Sequence, residues 1–172
     1  TLTTLGTTNG ADFTGIAVNG AHVFAVDAAL DRVVRFPVAG GSGTTVIGSG
    51  LSSPAGIVFG SATQMWLTDT GSDRVLEYVE SGGSWGFSRV LLPAASGVRD
   101  PCGLALTPDG RLAAAGCGSD DVVLVDPVTL AVSPLVLPGA GGLEAPKDLV
   151  WSGDSLLVAS AVNNAVLSFD AA

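Results

Sequence analysis

The chain is poor in the residues that most often carry chemistry. It has one histidine (His22), one lysine (Lys147), one tyrosine and two cysteines among 172 residues. A single histidine excludes a His-rich zinc site by number, and no G-x-S-x-G elbow is present to recruit it for a nucleophile. One lysine and six arginines against sixteen acids give a net charge of −9, which argues against nucleic acid. Phosphate neutralisation needs clustered basic side chains. No apolar run approaches 18 residues, so no membrane span is expected despite 47% hydrophobic residues and a mean hydropathy of +0.52. The chain begins at Thr1 with no methionine, basic region or apolar leader segment, and reads as a processed or trimmed product.

The abundant apolar residues come in pieces of four to six. Glycine and proline fall mostly between them, as turns require, and helical periodicity is absent. Those pieces repeat. GIAV (15–18) precedes HVFAVDAALDRVVRF (22–36), and GIVF (56–59) precedes MWLTDTGSDRVLEY (65–78). GLAL (103–106) precedes LAAAGCGSDDVVLV (112–125), and DLVW (148–151) precedes LLVASAVNNAVLSF (156–169). The starts at Gly15, Gly56, Gly103 and Asp148 lie 41, 47 and 45 residues apart. A period of about 40 to 50 residues built from short apolar runs is the mark of β-propeller blades.

Each repeat reads as four strands, a to d. In the third copy strand a is 103–107, strand b 111–116, strand c 121–126 and strand d 131–138, with a Pro108-Asp109-Gly110 turn between a and b. After the fourth strand c (165–169) no strand d follows, while TLTTLGTT (1–8) precedes the first strand a like an orphan strand d. The expectation is an all-β propeller of four four-stranded blades, 15–50, 51–97, 98–138 and 139–172. The N-terminal strand 1–8 would complete the last blade and remove its raw edge. One chain closing a four-bladed ring satisfies this, and so do two chains that exchange N-terminal strands into a larger ring.

Ser53-Pro54-Ala55-Gly56-Ile57-Val58-Phe59 followed by Trp66-Leu67-Thr68-Asp69-Thr70-Gly71-Ser72-Asp73-Arg74-Val75 resembles an NHL repeat. The first copy keeps Asp27, Asp31, Arg32 and Val33. The third has Gly116 and Asp121, and the fourth Ser160 and Ala165, where the motif has Asp and Arg. The resemblance implies a propeller that binds proteins, carbohydrates or nucleic acids; related rings include lactonase-type metallohydrolases and peptidylglycine lyases. From position, Asp27 and Asp69 end strand b and Arg32 and Arg74 begin strand c, so each pair is expected to brace its turn.

The d–a loops and b–c turns of a propeller share one face. That mouth would gather Asp12, Asp27, Asp31, Asp69, Asp73, Asp100, Asp120, Asp121, Glu144 and Asp148. Oxygen-rich groups suit Ca²⁺, and Asp12, Asp100 and Asp148 are the candidate ligands; no other cofactor is expected. With the turn at 108–110, Thr107 faces Leu112 and Cys102 faces Cys117 in one antiparallel register, within disulfide reach. A disulfide there implies an oxidising compartment, hence an extracellular, cell-surface or periplasmic protein. Trp85 and Phe87, read as a flexible c–d loop, join Arg99 and Asp100 as candidate partner-binding residues. No catalytic set is complete. The expected function is therefore a non-enzymatic scaffold that recognises a protein or carbohydrate through its loop face. Self-assembly by strand exchange and a metal-dependent lactonase or lyase are the alternatives.

Overall fold

Alternating apolar strands separated by glycine-containing turns form four antiparallel sheets in a computed structural model that describes residues 4–170. Blade 1 comprises β1 (Phe13–Asn19), β2 (His22–Asp27), β3 (Arg32–Pro37) and β4 (Thr44–Ile47). Blade 2 comprises β5 (Pro54–Ser61), β6 (Gln64–Asp69), β7 (Arg74–Ser81) and β8 (Ser84–Leu92). Blade 3 comprises β9 (Pro101–Leu106), β10 (Leu112–Gly116), β11 (Asp121–Val125) and β12 (Val132–Val136). Blade 4 comprises β13 (Pro146–Ser152), β14 (Ser155–Ser160) and β15 (Ala165–Asp170). Each sheet is a simple meander in chain order. The fold is a β-propeller of four blades. Pro134 sits in β12, the outer strand, where a missing N–H costs no ladder bond.

Three layers of apolar side chains join the blades. Phe24, Val26 and Val33 of blade 1 pack on Ile57, Leu67 and Leu76 of blade 2. Trp66 and Val75 pack on Leu104, Leu112 and Ala114 of blade 3, and Ala113, Ala115 and Val122 on Leu149, Leu156 and Val158 of blade 4. Close approach of the inner strands depends on glycine at one repeat position. A Cβ on Gly15 would overlap the carbonyl oxygen of Ala55, and one on Gly56 the carbonyl oxygen of Cys102. One on Gly103 would press on Asp148. The corresponding residue of β13 is Asp148 itself.

The last blade departs from the sequence expectation. It has three strands, and residues 4–8, which carry no strand, do not complete it. They lie instead on blade 1, where Leu5 packs on Ala25, Val34 and Phe36 and its carbonyl accepts the Gly41 N–H at 3.0 Å. Residues 1–3 of the expected strand lie outside the described residues. The expected closure of one chain into a ring is not seen either. β1 packs on β5, β5 on β9 and β9 on β13, but β1 and β13 do not pack side by side, so the four blades form an open arc. Phe36 accounts for the first departure: with Ala25 and Val34 it gives Leu5 an apolar seat on blade 1.

Candidate functional site

Most of the carboxylates expected at the mouth are committed to architecture. Asp27 is fully buried and accepts from Arg32 Nε at 2.8 Å, from the Asp12 N–H at 3.0 Å and from the Leu30 N–H at 3.3 Å. Burial alone would push its carboxyl up, but these donors hold it below the usual carboxylate range. Asp69 repeats the arrangement with Arg74 and the Ser52 N–H, the latter at 2.5 Å. In each case one side chain ties the b–c turn to the incoming d–a loop. Ser160 does this in blade 4 with a hydroxyl, accepting from the Glu144 N–H at 2.9 Å and donating to the Glu144 carbonyl at 3.0 Å.

A second series links neighbouring blades. Asp31 Oδ1 accepts the Ser53 N–H, Asp73 Oδ1 the Asp100 N–H, and Asp120 Oδ1 the Ala145 N–H, each at 2.7 Å. Donor and acceptor residues alike have positive φ: 48° and 45°, 53° and 48°, 57° and 44°. Asp tolerates this conformation better than most residues, whereas Ser and Ala carry strain there that the latch supports. Sequence reasoning placed these acids at the mouth without seeing the latches. Their signal was present: an Asp immediately before strand c in blades 1, 2 and 3.

The cation candidates are dispersed. Asp12, Asp100 and Asp148 are exposed, and among the described residues no three acidic, histidine or cysteine side chains are grouped to hold a metal ion. The Asp12 N–H serves Asp27, the Asp100 N–H serves Asp73, and Asp148 Oδ1 accepts the Leu149 N–H at 2.9 Å. Asp148 and Lys147 line a cavity of about 650 Å³ along the inner strands, between Gly15, Gly56 and Gly103. His22 starts β2 opposite Asn19, at the a–b end of blade 1.

Cys102 and Cys117 form a disulfide, with Cα atoms 6.1 Å apart. The hairpin register differs from expectation: Leu112 faces Leu106, and past a bulge between Ala114 and Gly116 it is Pro101 that faces Gly116, so Cys117 comes opposite Asp100 and not Cys102. The bridge therefore closes across an irregular ladder, not a directly opposed pair.

The four partner-binding candidates separate into two pairs. Arg99 and Asp100 are exposed on the mouth, in the loop entering blade 3. Trp85 and Phe87 lie at the opposite end of blade 2, on β8 and not in a flexible loop, because Gly82 and Gly83, at φ 61° and 88°, make a tight turn. Trp85 meets Phe24 and Phe59 edge-to-face at centroid distances of 5.8 and 5.7 Å. Phe87 is 58% exposed and meets Tyr78 at 6.0 Å. Together with Arg74, Leu76, Val46 and Ile47 of β4 and the loop residues Gly48, Ser49 and Gly50, these rings line a groove of about 410 Å³ between blades 1 and 2. Behind it, Glu77 is 3% exposed and accepts from Gln64, Trp66, Ser88 and Arg89. Burial would raise its carboxyl, yet the four donors hold it below the usual range.

No helix among the described residues is long and apolar enough to cross a membrane. No protein-family model matches the chain, and no curated protein matches it in sequence. Solved structures do. A chain of the nidogen/laminin complex is 23% identical with a TM-score of 0.75, covering 91% of this chain and 58% of that one. Virginiamycin B lyase from Staphylococcus aureus is 12% identical with a TM-score of 0.68, covering 95% and 56%. A computationally designed protein is 11% identical with a TM-score of 0.64, covering 100% of both chains. The chain thus spans little more than half the length of the two natural proteins, and what these likenesses show is the propeller fold.

Proposed function

We propose that the protein is an extracellular, non-enzymatic binding scaffold whose primary contact is the aromatic groove between blades 1 and 2. The observation that carries this reading is Phe87, a large apolar ring left 58% exposed beside a groove already lined by Trp85 and Tyr78. Aromatic side chains so placed dominate the energetics of recognition. Arg99 and Asp100 on the mouth form a second, polar contact. The disulfide supports an oxidising compartment. A protein partner is the occupant favoured, in keeping with the nidogen/laminin likeness; a carbohydrate stacked on Phe87 is the other outcome.

The test is binding of immobilised protein to a panel of extracellular-matrix proteins and to a glycan array. Phe87→Ala is expected to weaken the selected interaction at least tenfold. Leu130→Ala, which removes an exposed apolar side chain on blade 3, is expected to leave it unchanged. Equal effects of both changes would sink the groove assignment.

The enzymatic alternative draws on the likeness to virginiamycin B lyase and requires a cation drawn in by Asp12, Asp100 and Asp148. Calcium titration by calorimetry separates the readings. Tight binding abolished by Asp12→Ala or Asp100→Ala would favour the enzyme; weak binding that fades with added salt would reflect only the acidic surface.

A further inference from the structure

Each blade-to-blade core contains one pair from equivalent repeat positions: Val33 with Ile57, Val75 with Leu104, and Val122 with Leu149. All six residues are at most 6% exposed. The next members of the two series are Val166 on β15 and Ile16 on β1. They are 75% and 71% exposed, and among the described residues neither faces another blade. The arc therefore ends in two unlike faces, and each is the counterpart that the other lacks.

We propose that a second copy of this chain occupies both faces, so that two arcs joined head to tail by a two-fold axis close one eight-bladed ring. Each junction would repeat the existing interface, with Val166 of one copy against Ile16 of the other.

Two independent features support this occupant. The first is the latch series: Asp31, Asp73 and Asp120 each accept an amide of the next blade, and the fourth member, Asn164, has the same positive φ of 54°. Among the described residues its side chain has no hydrogen bond, and its amide oxygen suits the acceptor role. The second is the N-terminal segment. On blade 2, Val46 and Ile47 of the preceding outer strand lie over Leu76 and Tyr78. Leu5 lies over the equivalent Val34 and Phe36 of blade 1. Residues 4–8 thus already hold the place of an outer strand for a preceding blade, and β15 of a second copy presents the edge it would pair with. Eight blades fall within the range that propellers adopt, and a two-fold ring uses both junctions without leaving a propagating end.

Light scattering on the eluting protein tests the proposal, with an expected mass twice the 17.0 kDa of the chain. Ile16→Glu and Val166→Lys, each at a site exposed within the single chain, are expected to halve that mass while leaving the far-ultraviolet circular dichroism unchanged. In an equimolar mixture of the two variants, one junction joins the introduced Glu to the introduced Lys and the other is native, so the doubled mass is expected to return. A wild-type mass of one chain overturns the proposal, as does a ladder of larger species. Doubling that survives both substitutions, or a mixture that stays at single-chain mass, shows that these faces do not meet and overturns it equally.

Discussion

Asp73 accepts the backbone N–H of Asp100 at 2.7 Å, and together with the bond from Thr70 Oγ1 to the Pro101 carbonyl at 2.7 Å it holds the mouth of blade 2 against the entry to blade 3. It also supports Asp100 at φ 48°, a conformation that a non-glycine residue adopts only when its surroundings compensate.

Asp73→Ala is accordingly expected to lower stability by about 1 kcal/mol, the net range for losing one hydrogen bond. Urea unfolding monitored by tryptophan fluorescence measures it. A midpoint identical to wild type would show that the latch contributes nothing.

Glu77 carries more. Replacing it by Leu removes the acceptor shared by Gln64, Trp66, Ser88 and Arg89, and leaves the buried Trp66 indole N–H without its partner. The expected loss is about 2–3 kcal/mol, as for losing hydrogen bonds to a charged group and leaving one buried donor unsatisfied. Glu77→Gln, which keeps an acceptor oxygen, should lose less. Equal losses for the two substitutions would contradict this account.

Acid should destabilise the protein in a defined window. Asp27 and Glu77 have folded pKa values below their ordinary 3.8 and 4.5. The stability they supply is complete above the unfolded values and is lost as pH falls below about 4.5 through the folded ones. Tyr78 acts in the opposite sense: burial raises its phenol above 10.0, so its contribution is complete below that pH and is lost as pH rises through the folded value. Thermal midpoints between pH 2 and pH 11 should form a plateau that declines at both ends. A midpoint still constant at pH 3 would contradict the acid limb.

The sequence disclosed whatever is local. Asn19-Gly20, Pro108-Asp109-Gly110 and the acid–arginine spacing of the b–c turns are each complete within about ten residues, so strand order and turn bracing could be read directly. The cysteine pair was legible through the same hairpin, although the bulge after Ala114 was not, because alanine runs carry no register mark. What escaped depended on distant surfaces. Residues 4–8 look like a strand by composition, but their seat is chosen by Phe36, and Trp85 is fixed by Phe24 and Phe59 of two blades. The opening of the arc depends on packing between inner strands, which no single repeat encodes.

Reduction of the Cys102–Cys117 bridge is expected to cost about 3 kcal/mol, the loop-closure value for a separation of 15 residues. Alkylation without reductant should leave the intact mass unchanged, since no free cysteine is present among the described residues. Uptake of two alkyl groups by the unreduced protein would refute the bridge.

The three-stranded last blade sets a gradient of local opening along the single chain. In a linear array each unit is held by its own stability and by its neighbours. Blades 2 and 3 have neighbours on both sides, whereas β15 is an edge strand on a blade flanked on one side only. In the single-chain species that Ile16→Glu is expected to give, amide protons of β15 should therefore exchange through small local openings, while those of β6 and β10 wait for global unfolding. The terminal strand would then be the first part of the molecule to lose its order as denaturant rises, well before the shared cores give way.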